Sequence, residues 1–189
     1  MSLPLTQARK LADKVVEELL PACERVEIAG SIRRERPECG DIDLVLLPHA
    51  RTGEVLLPDL VKRLIYPDGK LETDGRAAKR LRLRKNGVQC DLWIAHHGMH
   101  VGADMFSSGY LVPPNFGALM ATYTGSMSHN INRLITAAKR QGWKWSPVQG
   151  IVIPGPTDGA SPVEIVSEDE AEIFRRLFGS WITPNKRET

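Results

Sequence analysis

The fold is decided by one stretch of sequence, Gly30-Ser31-Ile32-Arg33-Arg34 followed by Gly40-Asp41-Ile42-Asp43-Leu44-Val45. Asp41 and Asp43 open an apolar run that continues through Leu47, and such a run predicts a β-strand. Side chains two residues apart on a strand point the same way, so both carboxylates face one spot. They repel each other unless a cation neutralises them, and oxygen ligands at this density favour Mg²⁺ or Mn²⁺ over zinc. The stretch therefore predicts a metal site.

A glycine-serine turn lies just upstream of this strand. Gly30 permits a close approach of the backbone, and the N–H groups of such a turn can surround phosphate oxygens. Arg33 and Arg34 follow, either to neutralise phosphate charge or to form an ion pair that stabilises the fold, and for Arg34 phosphate is favoured. Turn, arginines and carboxylates together predict a triphosphate and metal site. A solvated strand end is the alternative interpretation, which this spacing makes the weaker one.

Periodic apolar residues predict the elements around this site. In chain order they are a helix over 5–20 closed by Pro21, a strand over 25–29, the strand over 41–47, a helix over 53–65 bent or interrupted at Pro58, and strands within 71–95 with a hairpin turn at Asn86-Gly87. Strands with helices on one side of a sheet make an α+β domain.

Two of these strands carry further candidate site residues. Asp91 is the one acid in an otherwise apolar run, and a lone acid on a strand is ordinarily exposed. In the strand before it, alternation puts Arg80, Arg82 and Arg84 on one face. That face either follows a phosphate backbone or protects a sheet edge against aggregation, and the pattern favours neither.

The last third of the chain predicts a smaller unit. Apolar spacing indicates a helix over 130–141, and a Gly/Pro-rich segment over 147–162 follows it. Ser167 and Glu170 have the spacing of a capping box, which predicts a final helix that opens at Ser167 and ends near Gly179.

Motifs in matching order resemble those of family X DNA polymerases. The Gly-Ser turn followed by Asp-x-Asp is similar to the signature of the DNA polymerase beta-like nucleotidyltransferase superfamily. The segment over 115–130, with Tyr123-Thr124-Gly125-Ser126 and Asn130, resembles the thumb entry of family X. The acidic helix over 167–174 and the Pro-x-x-Arg-Glu ending at 184–188 resemble the close of that family's sequences. The resemblance runs from about residue 25 to the last residues.

This resemblance implies an α+β fold with a nucleotidyltransferase palm over 1–111, a mixed sheet with helices on one side, followed by a small α/β thumb subdomain over 112–189. It implies a DNA-directed DNA polymerase that joins deoxynucleotides to a primer 3′-hydroxyl in short-patch or gap-filling repair. The implied cofactors are two Mg²⁺ or Mn²⁺ ions. The implied partners are a DNA primer-template, a deoxynucleoside triphosphate and a repair protein, with the chain itself a monomer.

The resemblance also implies a role for each matching residue. The catalytic, metal-binding residues are Asp41, Asp43 and Asp91. The nucleotide-binding residues are Gly30, Ser31, Arg34, Gly40, Tyr123, Thr124, Gly125 and Asn130. The DNA-binding residues are Arg80, Arg82, Arg84 and Arg133. Core packing is the alternative for Tyr123, and a helix cap is the alternative for Asn130.

The chain departs from the family pattern at several positions. Thr122 replaces the first residue of an aromatic pair, Gln89 stands where many members have an arginine, and Leu134 stands where another arginine is expected. Residues 96–111 look like an insertion that contains His96, His97 and His100. We expect a surface loop there rather than a zinc site, because a zinc site needs a fourth ligand and a scaffold.

Bulk composition excludes several classes of protein. With 42% hydrophobic and 25% charged residues, the 189-residue chain has a globular composition, which excludes disorder. No stretch approaches about 20 uncharged apolar residues and the N-terminus lacks a signal peptide's apolar centre, which predicts a soluble cytoplasmic protein without membrane contact. The net charge of +2 does not by itself identify a nucleic-acid binder. Three cysteines without CxxC spacing argue against disulfides and zinc.

Two other functions stay open at this stage. The first is a nucleotidyltransferase that modifies RNA, a protein or a small molecule, and the thumb motif at Thr124-Gly125-Ser126 argues against it. The second is a non-catalytic nucleic-acid-binding relic. The retention of three aspartates argues against a relic, because an unused cluster of negative charge is costly.

Overall fold

The computed structural model describes residues 2–65, 71–72, 79–85, 87–103, 108–157 and 160–188. Its contacts divide the chain into two compact units, Met1–Ala95 and His96–Thr189. The division into a palm and a thumb after residue 111, with their separate roles, stays a prediction. None of the described helices is long and apolar enough to cross a membrane.

The first unit begins with a helix and continues as strands joined by helices and turns. Its elements are β1 (Leu3–Pro4), α1 (Leu5–Leu19), a 3₁₀ turn (Leu20–Ala22), β2 (Cys23–Ile28), α2 (Gly30–Arg33), β3 (Glu38–Cys39), β4 (Asp41–Pro48), α3 (Thr52–Ile65), β5 (Leu71–Glu72), β6 (Lys79–Lys85) and β7 (Val88–Ile94).

A mixed sheet organises this unit, and its described strands follow the order β2-β4-β7-β6-β5. Strand β4 lies parallel to β7 and antiparallel to β2, while β6 lies antiparallel to both β7 and β5. The predicted hairpin between β6 and β7 is confirmed, because Lys85 pairs with Val88 across a two-residue loop. Gly87 of that loop has a φ of 76°, which glycine adopts without strain.

Helices α1 and α3 pack on one face of the sheet. The buried stripe of α1 recurs at helical spacing and joins α3 and β4 in one apolar cluster. From β4 that cluster takes Ile42, Leu44 and Leu46, each fully buried. Because successive strand residues alternate between faces, Asp41 and Asp43 lie on the opposite face. The α+β class predicted from the sequence is confirmed.

Helix α3 runs from Thr52 to Ile65 as one helical element that includes Pro58. The predicted interruption at Pro58 is therefore wrong, whereas the predicted extent of the helix is confirmed. A proline inside a helix removes one backbone hydrogen bond. The surrounding contacts offset that loss, because Leu57 and Val61 of α3 are buried in the apolar cluster of the sheet.

The second unit contains hairpins, helices and a small sheet. Its elements are β8 (Met99–Ala103), β9 (Ser108–Val112), α4 (Phe116–Thr124), α5 (Met127–His129), a π-helical segment (Asn130–Ile135), α6 (Thr136–Arg140), β10 (Lys144–Ser146), β11 (Gly150–Ile153), β12 (Glu164–Val166), α7 (Glu170–Phe178) and a 3₁₀ turn (Pro184–Lys186). Strands β10, β11 and β12 form an antiparallel sheet. The apolar core of the second unit is formed by Ala118, Ala121, Leu134, Ala138, Ile151, Ile173, Phe174 and Leu177.

The segment predicted to be a surface loop forms an antiparallel hairpin instead. Strands β8 and β9 pair from Met99 with Val112 to Ala103 with Ser108. Val112, the last residue of β9, is fully buried, so packing holds that end of the hairpin. The loop expectation is therefore wrong for these two strands.

Helix α7 begins two residues after the predicted position. Asp169 caps it, because its Oδ1 accepts a hydrogen bond of 2.9 Å from the backbone N–H three residues later. Ser167, the predicted cap, is buried and donates its hydroxyl to the carbonyl of Pro114 at 2.9 Å. The predicted end is confirmed, since Gly179 terminates the helix with a φ of 75°.

We expect Asp169→Ala to lower the free energy of unfolding by about 1 kcal/mol, because the N–H groups at the start of α7 lose their acceptor. Urea denaturation followed by circular dichroism measures this change. Glu168→Ala removes an exposed carboxylate next to the cap and should change the same free energy by less than about 0.5 kcal/mol. Equal stability of the two variants would contradict the assigned cap.

Candidate active site

Parallel pairing of β4 and β7 brings the acidic residues together. Asp43 lies directly opposite Asp91 in the register of the two strands, and Asp41 lies opposite Gln89. Residues opposite each other in a ladder lie on the same face of the sheet, so the three aspartates share the face away from the helices. Asp91 is only 4% exposed. The structure thus places the predicted metal ligands side by side.

Neutral donors hold two of these carboxylates. The indole Nε1–H of Trp93 donates to Asp43 Oδ1 at 3.1 Å. The side-chain amide of Gln89 donates to Asp91 Oδ2 at 3.3 Å. Gln89 occupies the position where an arginine was expected from the family pattern, and its amide orients Asp91 without adding positive charge.

The protonation of Asp43 reflects its crowded environment. Burial, together with the negative charges of Asp41 and Asp91, raises the pKa of Asp43 to about 7 from an ordinary value of 3.8. The Trp93 hydrogen bond and the positive charge of Arg34 act in the opposite direction and lower this pKa. Near neutral pH the carboxyl of Asp43 is therefore partly protonated in the absence of a cation.

The Gly30 turn is pressed against this carboxylate. Gly30 has a φ of 58°, and a Cβ at this position would overlap the carboxylate of Asp43. The backbone is fixed there, because the N–H of Ala29 donates to the carbonyl of Asp43 at 2.8 Å. Glycine is required at residue 30 both for its conformation and for the space it leaves.

Ser31 follows in the one-turn helix α2. Its hydroxyl oxygen is buried and, among the residues that the structure describes, has no hydrogen-bond partner. A buried hydroxyl without a partner is costly, and an incoming acceptor such as a phosphate oxygen would satisfy it. Gly40, by contrast, has open space where a Cβ would lie, so its predicted role in nucleotide binding stays a prediction.

This face of the sheet fits a divalent cation by its chemistry. The candidate ligand atoms are carboxylate oxygens, and the negative charges of Asp41 and Asp91 raise the pKa of Asp43. The buried hydroxyl of Ser31 lacks a partner among the described residues. Within the described ranges, no three His, Cys, Asp or Glu side chains already have the spacing of a metal site. Asp43 and Asp91 are instead held by Trp93 and Gln89.

The basic strand β6 lies beside these acids in register. Arg82 pairs with Asp91 across the β6–β7 ladder, with Arg80 and Arg84 two residues away on either side. The side chains of this strand lie outside the described part of the chain, so their predicted contact with DNA stays a prediction. Strand β5 pairs with β6 at Leu83 and Arg82.

In the second unit, the predicted nucleotide-binding residues surround the turn after α4. Thr124 is fully buried, and Tyr123 is partly buried. A Cβ on Gly125 would lie 2.6 Å from Asn130 Oδ1, so this glycine allows the two segments to meet. The Nδ2 of Asn130 donates to the carbonyl of Thr122 at 2.5 Å. The turn and the following helix are therefore joined by a side-chain bridge.

Ser126 rather than Asn130 caps the helix that follows. The Ser126 hydroxyl oxygen accepts a hydrogen bond of 3.0 Å from the backbone N–H of His129. The helix predicted over 130–141 consequently begins earlier, at Met127, and it includes the π-helical segment. The alternative of Asn130 as a helix cap is therefore wrong for the start of this helix, and its side chain instead donates to a carbonyl in the last turn of α4.

Two further positions on this helix have different environments. Leu134 is fully buried in the core of the second unit, so the position where the family pattern has an arginine serves packing in this chain. Arg133 is exposed, and its guanidinium lies 5.9 Å from the ring centroid of Phe178. Its predicted contact with DNA stays a prediction.

Both ring nitrogens of His96 form hydrogen bonds within the second unit. Its Nδ1 accepts from the N–H of Gly98 at 3.1 Å, so the proton lies on Nε2, which donates to the carbonyl of Val148 at 3.0 Å. The N–H of His96 donates to the buried side chain of Asn115 at 2.8 Å. These contacts show how the backbone enters the hairpin, and they occupy both ring nitrogens.

Comparison with known proteins gives a match over the first unit. The family model described as DNA polymerase beta palm matches residues 4–90, which include Asp41 and Asp43 and stop one residue before Asp91. The first unit is similar to the DNA polymerase beta palm. We therefore call residues 1–95 the palm.

One solved structure extends the likeness beyond the palm. A polymerase beta of Leishmania infantum, solved as a ternary P/T complex, matches with a TM-score of 0.69 and 17% sequence identity. The match covers 100% of this chain and 77% of that chain, and at this identity it shows a common fold. No curated protein sequence matches the chain significantly.

Trp93 is the residue of the palm site that the sequence analysis missed. It lies two residues after Asp91 on β7, so strand periodicity alone puts it on the same face. Its indole N–H reaches Asp43 on the neighbouring strand. That spacing was a usable signal, but a tryptophan in an apolar strand is ordinarily interpreted as a packing residue.

We expect Gly30→Ala to weaken binding of Mn²⁺, because the added Cβ displaces the carboxylate of Asp43. It should also lower the free energy of unfolding by more than the ~1–2 kcal/mol that a left-handed conformation costs an alanine. Gly87→Ala is the matched control, since Gly87 also has a positive φ but has nothing within 4 Å of a Cβ. Calorimetric titration with Mn²⁺ and urea denaturation measure both effects, and equal losses in the two variants would contradict the close approach.

We expect the unfolding free energy of the natural chain, relative to that of Asp43→Asn, to fall as pH rises from about 4 to about 7 without divalent cations. The folded state keeps its proton up to a pKa of about 7 while the unfolded state loses it near 3.8, so stability is lost across this window. One pKa unit corresponds to about 1.4 kcal/mol. Denaturation curves measured across this range test the sign.

The exposed carboxylate of Asp59 provides the control for this pH effect. Asp59 contacts only Lys62 among the hydrogen bonds that the structure records for it, at 3.3 Å. Asp59→Asn measures what the loss of one exposed carboxylate does to the same curves. A flat difference between the natural chain and Asp43→Asn would contradict the raised pKa.

Proposed function

We propose that the chain is a nucleotidyltransferase that works as a DNA-directed DNA polymerase, adding deoxynucleotides to a primer 3′-hydroxyl. The observation that carries this proposal is the register of Asp43 with Asp91, with the Gly30 turn pressed against the same carboxylate, in a palm fold. A fold alone does not define an activity, whereas this arrangement of residues supports the proposal of a cation site next to a phosphate site.

Asp41, Asp43 and Asp91 would hold Mg²⁺ or Mn²⁺, two ions per site. When bound, such ions favour the ionised 3′-hydroxyl and neutralise charge on the departing pyrophosphate. The carboxylates contribute by being fixed before the substrate arrives. Trp93 fixes Asp43 and the amide of Gln89 fixes Asp91, so little reorganisation accompanies the reaction.

The turn at Gly30 would hold the triphosphate. Its backbone N–H groups and the hydroxyl of Ser31 are donors suited to phosphate oxygens, and Gly40 completes the proposed loop. Arg34 is close enough to lower the pKa of Asp43, so its positive charge acts on the same region. We assign it to charge that develops on the leaving group.

In the second unit, Tyr123, Thr124, Gly125 and Asn130 would contact the sugar and base of the incoming nucleotide. The buried Oδ1 of Asn130 has no hydrogen-bond partner among the described residues, and its Nδ2 keeps one N–H beyond the bond to Thr122. Minor-groove edges present acceptors in every base pair, so such a donor senses pair shape rather than base identity.

The proposed DNA contacts are Arg80, Arg82, Arg84 and Arg133. Their support is the basic composition of β6 and the exposure of Arg133. The proposal extends to short gap-filling repair synthesis by a monomer in the cytoplasm, assisted by a repair protein. That extension rests on the family resemblance.

We expect the natural chain to extend a primer across a one-nucleotide gap with Mg²⁺ or Mn²⁺ and to incorporate the templated deoxynucleotide. Asp91→Asn should reduce the rate by about a hundredfold or more, because a ligand of the reacting site is lost while its volume is kept. Asp59→Asn removes one exposed carboxylate and should leave the rate within about twofold. Gel analysis of extension with each deoxynucleotide supplied separately measures both.

The outcome also separates the alternatives. Metal-dependent triphosphate binding without primer extension would contradict the polymerase and favour an acceptor other than DNA. Absence of both would contradict a nucleotidyltransferase of any kind. Equal rates of primer extension by Asp91→Asn and the natural chain would contradict a role for Asp91 in the reaction.

A further inference from the structure

Arg187 is a fully buried cation in the second unit. Its Nη1 donates to Glu170 Oε1 at 2.5 Å, while its Nε and Nη2 both donate to the carbonyl of Ile182, at 3.0 and 2.7 Å. The guanidinium lies 3.9 Å from the ring centroid of Phe174 and 4.6 Å from that of Trp181. Planar stacking together with forked hydrogen bonds is suited to arginine and not to lysine.

This buried group fixes the backbone around it. The carbonyl of Arg187 accepts from the N–H of Ser126 at 3.0 Å, and the carbonyl of Glu188 accepts from the Ser126 hydroxyl at 2.9 Å. Ser126 in turn accepts from the N–H of His129 through its side chain, at 3.0 Å. One serine therefore connects the Arg187 segment with the start of the helix.

The same serine follows directly on the turn proposed to contact the nucleotide. Ser126 lies next to Gly125, and the carbonyl of Ser126 accepts from the N–H of Asn130 at 3.0 Å. Any movement of Ser126 therefore shifts the Gly125 turn, whose Cα lies close to the side chain of Asn130. The position of the proposed nucleotide contacts depends on where residues 187 and 188 hold Ser126.

We propose that Arg187 and Glu170 are positioning residues for nucleotide binding, which act through Ser126 on the turn at 123–125 and on Asn130. This inference rests on the proposed function for its kinetic consequence. In this proposal the buried guanidinium acts through geometry. It fixes the backbone carbonyls of Arg187 and Glu188, which accept the two hydrogen bonds that Ser126 donates. A buried ion pair on its own is weak evidence for a gain in stability.

Three substitutions test the proposal. Ser126→Ala removes the hydroxyl that links the Arg187 segment to the helix, Ser126→Thr restores it, and Arg187→Met removes the guanidinium while keeping much of its volume. Arg176→Ala is the matched control on the same helix as Glu170, because Arg176 is exposed and pairs with the partly exposed carboxylates of Glu164 and Glu172. Each variant is measured by primer extension and by hydrogen exchange of the backbone N–H groups at 129–130.

We expect Ser126→Ala to raise the KM for the incoming deoxynucleotide about tenfold while kcat changes less than about twofold, since ground-state positioning is lost and the palm is unchanged. Ser126→Thr should return KM to the natural value. Exchange at 129–130 should be faster by about tenfold or more in Ser126→Ala and Arg187→Met, and unchanged in Arg176→Ala.

Natural KM values in Ser126→Ala and in folded Arg187→Met would overturn the proposal, as would faster exchange without any change in KM. Unfolding of Arg187→Met leaves Ser126→Ala, which changes one hydroxyl, to decide. A natural chain without primer extension overturns the proposed function but not the positioning. In that case the exchange rates alone decide whether Arg187 acts on the turn through Ser126.

Discussion

Confinement of carboxylates on one face of the palm sheet is the constraint on which the rest of the palm site depends. Burial of Ile42, Leu44 and Leu46 against the helices fixes the face of β4. A shift of one residue would expose that apolar set, so Asp41 and Asp43 are held on the other face. Hydrophobic packing thereby maintains a cluster of negative charge that its own repulsion would disperse. A divalent cation would relieve that repulsion.

Much of the palm follows from local patterns in the sequence. The strand that begins at Asp41, helix α1 and the β6–β7 hairpin each carry their signal within a short window, and the structure confirms all three. The alignment of Asp43 with Asp91 does not follow from any such local pattern. Nothing in either strand alone fixes a parallel register between segments almost fifty residues apart, and the family resemblance predicted only that Asp91 joins the other two aspartates.

The features that sequence patterns did not predict depend on contacts made elsewhere in the fold. Ser167 has the residue type and spacing of a cap, but the carbonyl of Pro114 takes its hydroxyl and Asp169 caps α7. The hairpin over 99–112 is held by burial of Val112, which polarity alone does not reveal. Trp93 donates to Asp43 on a neighbouring strand and Arg187 donates to Glu170 on α7, and no local sequence pattern specifies either hydrogen bond.

The central claim is that the surroundings of Asp43 disfavour its ionised carboxylate until a divalent cation binds beside it. Carboxyl ¹³C chemical shifts of Asp43, assigned by comparison with Asp43→Asn and followed across pH, measure this directly. Without divalent cations the account predicts titration with a pKa near 7, and with Mg²⁺ and a deoxynucleoside triphosphate it predicts an ionised carboxylate well below that pH. Titration near 3.8 in both conditions would contradict the account.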